Sequence, residues 1–203
     1  MAYSDFTLSR VRDDLGLTIV YKSDVFASSV AIEPSALLSE MLVEFVPLGL
    51  AINSEKSRSE FIIAPILAEV RRHLKSQISL FSGKDFSVDA GKGLTGRCDF
   101  LLAATPDLMQ ITAPVVTIVE AKNEDVIGVL GQCLAEMVAA QIFNQKAHEN
   151  IPVIYGVVTS GSVWRFLKLE QSLATVDLTE YYIDRVEKIL GVLIAAIQLS
   201  MKP

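Results

Sequence analysis

After Pro34-Ser35 the apolar residues Leu37, Leu38, Met41, Leu42 and Phe45 recur at the spacing of one helix face, and Pro47 and Gly49 interrupt the run. The pattern predicts a core helix that stops near Pro47. Asn53-Ser54-Glu55 reads as a second helix start, a capping residue followed by an early acid that suits the positive end of the dipole. Its apolar stripe of Phe61, Ile62, Ile66 and Val70 runs to about Leu74, with Pro65 expected to kink or locally break it. The period then changes to two. Segments 78–89, 96–104, 115–122, 153–159 and 163–169 are short, rich in β-branched or aromatic residues and bounded by Gly, Pro, Asp or Ser, which predicts strands. Thr159 to Ser162 reads as a hairpin turn joining the last two. Between residues 121 and 151 a helix carries Ile127, Leu130, Leu134, Met137, Val138 and Ile142, and a final helix over about 179–201 is apolar on much of its surface. The first 33 residues suggest a short helix near Leu8 to Leu15 and strands around 17–21 and 25–32.

The strand, helix, strand step across residues 115–159 is long enough for a crossover, so the expected class is α/β (α+β), a mixed β-sheet core flanked by α-helices on both faces. No repeat, low-complexity tract or linker divides the chain, and 1–203 reads as a single domain. With 51% apolar and 21% charged residues, disorder and collagen-like structure are excluded. The longest apolar run, Ile189 to Ile197, is about half of the roughly 20 residues that a membrane helix needs, and the N-terminus lacks an apolar signal core. The expectation is a cytoplasmic protein with no membrane association. Cys98 and Cys133 lack metal or redox spacing and read as reduced packing residues. The final helix is too apolar to stay exposed, and is expected to pack across the sheet or to form a homodimer interface.

The net charge of −6 conceals an asymmetry: residues 56–97 hold eight basic side chains against four acidic ones, a local +4 that leaves −10 elsewhere. One basic face on an acidic protein can still meet a polyanion. The chemistry gathers around strand 115–122, which is apolar until Glu120 and Lys122. Residues two apart share a strand face, so these opposite charges project together from the edge of the core. Asp99 interrupts the apolar pattern of Cys98, Phe100, Leu101 and Leu102, and a carboxylate there needs a partner. If the two strands pair, Asp99, Glu120 and Lys122 meet at one end of the sheet. Two neighbouring carboxylates suit a hard divalent cation, Mg²⁺ or Mn²⁺, and an adjacent ammonium can orient water and stabilise the charge of a phosphoryl transition state.

In these residues the chain resembles the PD-(D/E)XK, or restriction-endonuclease-like, nuclease superfamily. Asp99 matches the acid of its second core strand, and Glu120-Ala121-Lys122 its Glu-x-Lys signature on the third. Gln132 falls on the following helix, where many members carry a glutamine near the site. Upstream, Glu55 to Arg58 and Phe61 to Leu67 look like the first core helix of the nuclease domain of type I restriction motor subunits, in which a helix glutamate supports the metal site. Glu55 would be that residue, with Glu60 and Glu69 as alternatives. The likeness covers about 50–170, leaving an N-terminal helical extension and a C-terminal helix outside it. Cys98 replaces the proline of the family's name, and Glu136 stands where exonuclease-like members have a tyrosine.

The resemblance implies a restriction-endonuclease-like fold and a metal-dependent nuclease acting on nucleic acid, DNA ahead of RNA. Asp99 and Glu120 would be Mg²⁺ or Mn²⁺ ligands, Lys122 would lie near the attacking water, and Glu55 and Gln132 would support them. Arg97, expected on the Asp99 face of its strand, and Arg58 are the candidate substrate-binding residues. The alternative is a nuclease-fold module that binds nucleic acid or protein without catalysis, or only with a partner. The glycine-rich stretch Gly91 to Gly96 lacks the Walker pattern and reads as a hairpin; His73 and His148 read as surface residues, and Trp164 and Phe166 as packing.

Overall fold

The computed structural model describes residues 1–122 and 127–201. Fourteen elements carry the fold: α1 (Leu8–Asp13), β1 (Thr18–Lys22), α2 (Ala36–Ile52), α3 (Glu55–Arg58), α4 (Ala64–His73), β2 (Ser79–Asp85), β3 (Arg97–Ala103), β4 (Val115–Ala121), α5 (Leu130–Lys146), β5 (Ile154–Thr159), β6 (Val163–Glu170), β7 (Leu173–Asp177), β8 (Tyr181–Tyr182) and α6 (Val186–Ser200). The strands form one open, eight-stranded mixed sheet in the order β1-β7-β6-β5-β4-β3-β2, with β8 paired to β6. The β4–β5 and β1–β7 pairs are parallel and the other pairs antiparallel. As the sequence suggests, α5 makes the crossover that a parallel β4–β5 pair requires.

Helices cover both faces, so β4 is buried at all seven positions and reads as a continuous apolar run. Its residues divide between two cores, with the alternation interrupted near Val116, where the β3 register shifts between Leu102 and Ala103. Val115 and Ile118 join the core beneath α5 with Leu101, Leu134, Met137 and Val158, while Val116 and Val119 join the opposite core with Ile62, Ile66, Trp164 and Leu193. Trp164 and Phe166 are packing residues, and α6 sets its apolar face into that second core. Both cysteines are buried and free, and burial pushes both thiols up. No helix among the described residues is long and apolar enough to cross a membrane.

The helix that starts at Ser54 contains a π turn. Ser54 caps α3, Ser59–Ile63 forms the wider turn in which the Ala64 N–H reaches the Ser59 carbonyl, and α4 follows with Pro65 in its first turn. The wide turn accommodates a proline that would strike the preceding carbonyl of a regular helix.

Several expectations need correction. Helix α2 continues through Pro47 to Ile52, because the carbonyl left unbonded by Pro47 belongs to Val43, which is 79% exposed and open to water. Nor is α2 a core helix: of its residues only Leu38 and Gly49 are buried, and it lies as an outer layer on the π turn, with Phe45 against Phe61. Residues 25–32 form no strand. Asp24, two residues beyond β1, turns the chain with φ of 58°, and the chain then crosses α6 at Gly191, whose missing Cβ makes room for the Val30 carbonyl. Strand β7 lay outside the pattern read from the sequence, and α6 starts at Val186, not 179, because Tyr181 and Tyr182 pair with β6 first.

Candidate active site

The β3–β4 ladder ends at Phe100 opposite Val119. Beyond that pair, the Asp99 side chain replaces the backbone: its Oδ2 accepts from the Ala121 N–H at 2.8 Å. The placement follows from an irregularity in the edge hairpin. Cys98 and Phe100 are two apart and would share a face in a regular strand, yet Cys98 lies in the core under α5 and Phe100 in the opposite one. In β2, Gly83 falls between the pairs Ser82–Phe100 and Lys84–Cys98 and has φ of +60°, a conformation that glycine adopts without strain. The face reversal therefore falls at Asp99 and turns its carboxylate to the end of the sheet.

On β4, Glu120 faces α5 and is 1% exposed. Its Oε1 accepts from Gln132 Nε2 at 2.6 Å and lies 3.3 Å from Lys122 Nζ; its Oε2 is buried without a partner among the described residues. The Lys122 backbone extends the β5 pairing by donating to the Thr159 carbonyl at 2.8 Å, so strand parity holds this side chain over Glu120. Lys122 Nζ also lies 3.5 Å from Oε2 of Glu55, the first residue of α3. Five of the sequence-derived candidates, Glu55, Asp99, Glu120, Lys122 and Gln132, thus surround the C-terminal end of β4. Glu60 lies nearby on the cleft wall, bonded to Lys56, whereas Glu69 is on α4, where it accepts from Ser35 N–H and pairs with Arg72.

The two arginines differ. Both terminal nitrogens of Arg58 are engaged, with the Ser160 carbonyl and Ser162 Oγ on one side and Asn53 Oδ1 on the other. Its guanidinium ties α3 to the β5–β6 turn. Arg97 is exposed at the start of β3, opposite Asp85, but the reversal at Asp99 removes the parity that would align the two side chains.

Charge is crowded here. Burial raises the Asp99 pKa, against the Ala121 N–H and Lys122, which lower it. Burial first and the Asp99 charge second push Glu120 up to about 8. Burial pulls the Lys122 ammonium down, but Glu120 and Glu55 outweigh it and leave its pKa raised. Behind them Glu136, fully buried on α5, accepts from Gln132 Nε2 at 3.2 Å and is held well above the carboxyl range by burial and by Glu120. Sequence reading noted Glu136 only as a departure from a family pattern. No sequence signal set it apart, since an acid four residues after a glutamine on a helix reads as a solvent face.

A cleft of about 250 Å³ opens in front of Asp99, between Glu55, Ser59 and Glu60 on one wall and Ser82 and Gly83 on the other. Asp99 lines this space while its Oδ2 is held by the Ala121 N–H. Among the described residues no group of three or more His, Cys, Asp or Glu is gathered to hold a metal on protein ligands alone. A donor set of one oxygen each from Asp99 and Glu120 fits Mg²⁺, which keeps several waters and is bound through one or two carboxylates. The buried Glu120 Oε2, without a partner among the described residues, is an atom that such a cation would satisfy. No protein-family model matches the chain, and no curated protein matches its sequence.

Proposed function

We propose that the protein is a metal-dependent nuclease with a restriction-endonuclease-like core, hydrolysing phosphodiester bonds of nucleic acid, DNA ahead of RNA. One observation carries the reading: two carboxylates with raised pKa values, Asp99, whose Oδ2 is held by the Ala121 N–H, and Glu120, whose Oε2 has no partner among the described residues, lie beside the Lys122 ammonium at the end of a central strand. Asp99 and Glu120 would hold Mg²⁺ or Mn²⁺, which when bound supplies Lewis-acid polarisation of the phosphate and lowers the pKa of water. Lys122 donates to the attacking water or to a phosphate oxygen and opposes the charge that develops there. Glu55 and Glu120 keep that ammonium protonated and fix its position. Gln132 holds Glu120 through Oε1 and leaves Oε2 available.

A second reading has support in the same contacts. Lys122 joins Glu55 to Glu120, and an ion pair that fastens α3 to β4 would serve a noncatalytic nucleic-acid or protein-binding module equally well. Calorimetric titration with Mg²⁺ or Mn²⁺ separates the two when wild type, Lys122→Ala and Asp99→Ala/Glu120→Ala are compared, with plasmid cleavage assayed on the same samples. Metal binding lost only in the carboxylate variant, with cleavage lost in both, is the expected result. Absence of binding by the wild type would favour the module.

A further inference from the structure

Gln132 and Glu136 lie one helical turn apart on α5, the spacing at which side chains share a helix face. The Gln132 amide nitrogen has two N–H bonds, and both have a carboxylate: Glu120 Oε1 at 2.6 Å and Glu136 Oε1 at 3.2 Å. Reversing that amide would turn its carbonyl against two acceptor oxygens, so its orientation is fixed by the pair and not by Glu120 alone. Glu136 is 0% exposed, belongs to the helix face that packs on the sheet, and has an Oε2 without a partner among the described residues. As packing it is a poor choice, since a leucine or methionine would occupy the space without burying an unsatisfied carboxyl group. Its one side-chain hydrogen bond among the described residues is to Gln132.

We infer that Glu136 is a positioning residue, which locks the Gln132 amide and through it the Glu120 carboxylate, so that Glu120 Oε2 is kept free for a ligand. Burial and the Glu120 charge push the Glu136 carboxyl up, while the Gln132 N–H that donates to it pulls it down. The consequence for metal affinity rests on the nuclease reading above; the locking of the amide does not.

Glu136→Leu and Glu136→Gln in the full chain test this, with the Gln132 side-chain amide followed by ¹⁵N–¹H correlation in metal-free protein and Mg²⁺ affinity by calorimetry. Wild type is expected to give two separate, slowly exchanging Gln132 amide protons. In Glu136→Leu these collapse or exchange rapidly while the thermal midpoint stays level or rises, and Mg²⁺ affinity falls roughly tenfold or more, the scale of losses on removing a ligand's outer hydrogen-bond partner. Glu136→Gln, which retains an acceptor oxygen, restores both. A Gln132 amide that is already averaged in wild type, or is unchanged in Glu136→Leu, would overturn the inference. Wild-type protein that binds no Mg²⁺ while its amide responds as described would overturn the nuclease reading and leave the positioning role standing.

Discussion

Glu120 is held between opposed demands. Lys122 and Gln132 favour its charged form through one oxygen, while burial and Asp99 drive it toward the neutral acid. The folded protein therefore binds this proton more tightly than the unfolded chain, with about 8 in the fold against an ordinary 4.5. The unfolded chain loses the proton first as pH rises, so stability is expected to fall between about 4.5 and about 8 and then level. Urea midpoints across that window check the sign, and Glu120→Gln should flatten the decline; a wild-type midpoint that rose with pH would contradict it. Lys122→Met removes the cation 3.3 Å from a carboxylate that is almost wholly buried. A loss on the order of 2 kcal/mol is expected, discounted from the larger cost of a fully buried pair because Lys122 is partly exposed. Chemical denaturation measures it. The acids and the lysine were legible because charges in an apolar strand stand out; Glu136 was not, because on a helix an acid four residues from a glutamine resembles an ordinary solvent face.

At the scale of elements, period and punctuation identified β2 to β6 and α5, and the β4–β5 crossover followed from chain length alone. What the pattern could not convey was the consequence of a break. Pro65 is resolved by a π turn that keeps the helix continuous, and Pro47 is tolerated because its side of α2 faces water. Short strands such as Leu173–Asp177 carry too few alternations to be distinguished from a loop. The hairpin of β2 and β3 shows the same gap, since Asp99 reaches the sheet end only through the reversal opposite Gly83. Gly83→Ala meets nothing within 4 Å, so its effect isolates the backbone conformation. A loss of about 1 kcal/mol is expected from the strain at positive φ, measurable by thermal unfolding. Gly131→Ala acts by collision instead, because its Cβ would occupy the place of the Phe6 carbonyl where the N-terminal segment crosses α5. It is expected to destabilise by roughly 2 kcal/mol or more.

Over the whole molecule, the local excess of basic residues in 56–97 is partly used internally. Arg58, Arg71 and Arg72 are tied to the chain's own carbonyls or acids, and Lys56 pairs with Glu60. Lys84, Lys92 and Arg97 remain exposed on the β2–β3 hairpin that forms one wall of the cleft. If they meet phosphates, log K for DNA should fall with log salt at a slope of roughly −3, and each alanine replacement should reduce that slope by about one. Fluorescence anisotropy at several salt concentrations measures it; a slope near zero would remove this hairpin from the interface.

The pairing of β1 with β7 also matters for how the protein is made. Thr18 lies opposite Leu173, so β1 has no neighbour until about 150 further residues have been synthesised. Until then its apolar residues and open backbone are available to other nascent chains, and slow, non-local closure of this kind lengthens the exposure. Chaperone demand and inclusion-body formation during synthesis should therefore respond to β1 more than to any strand near the cleft.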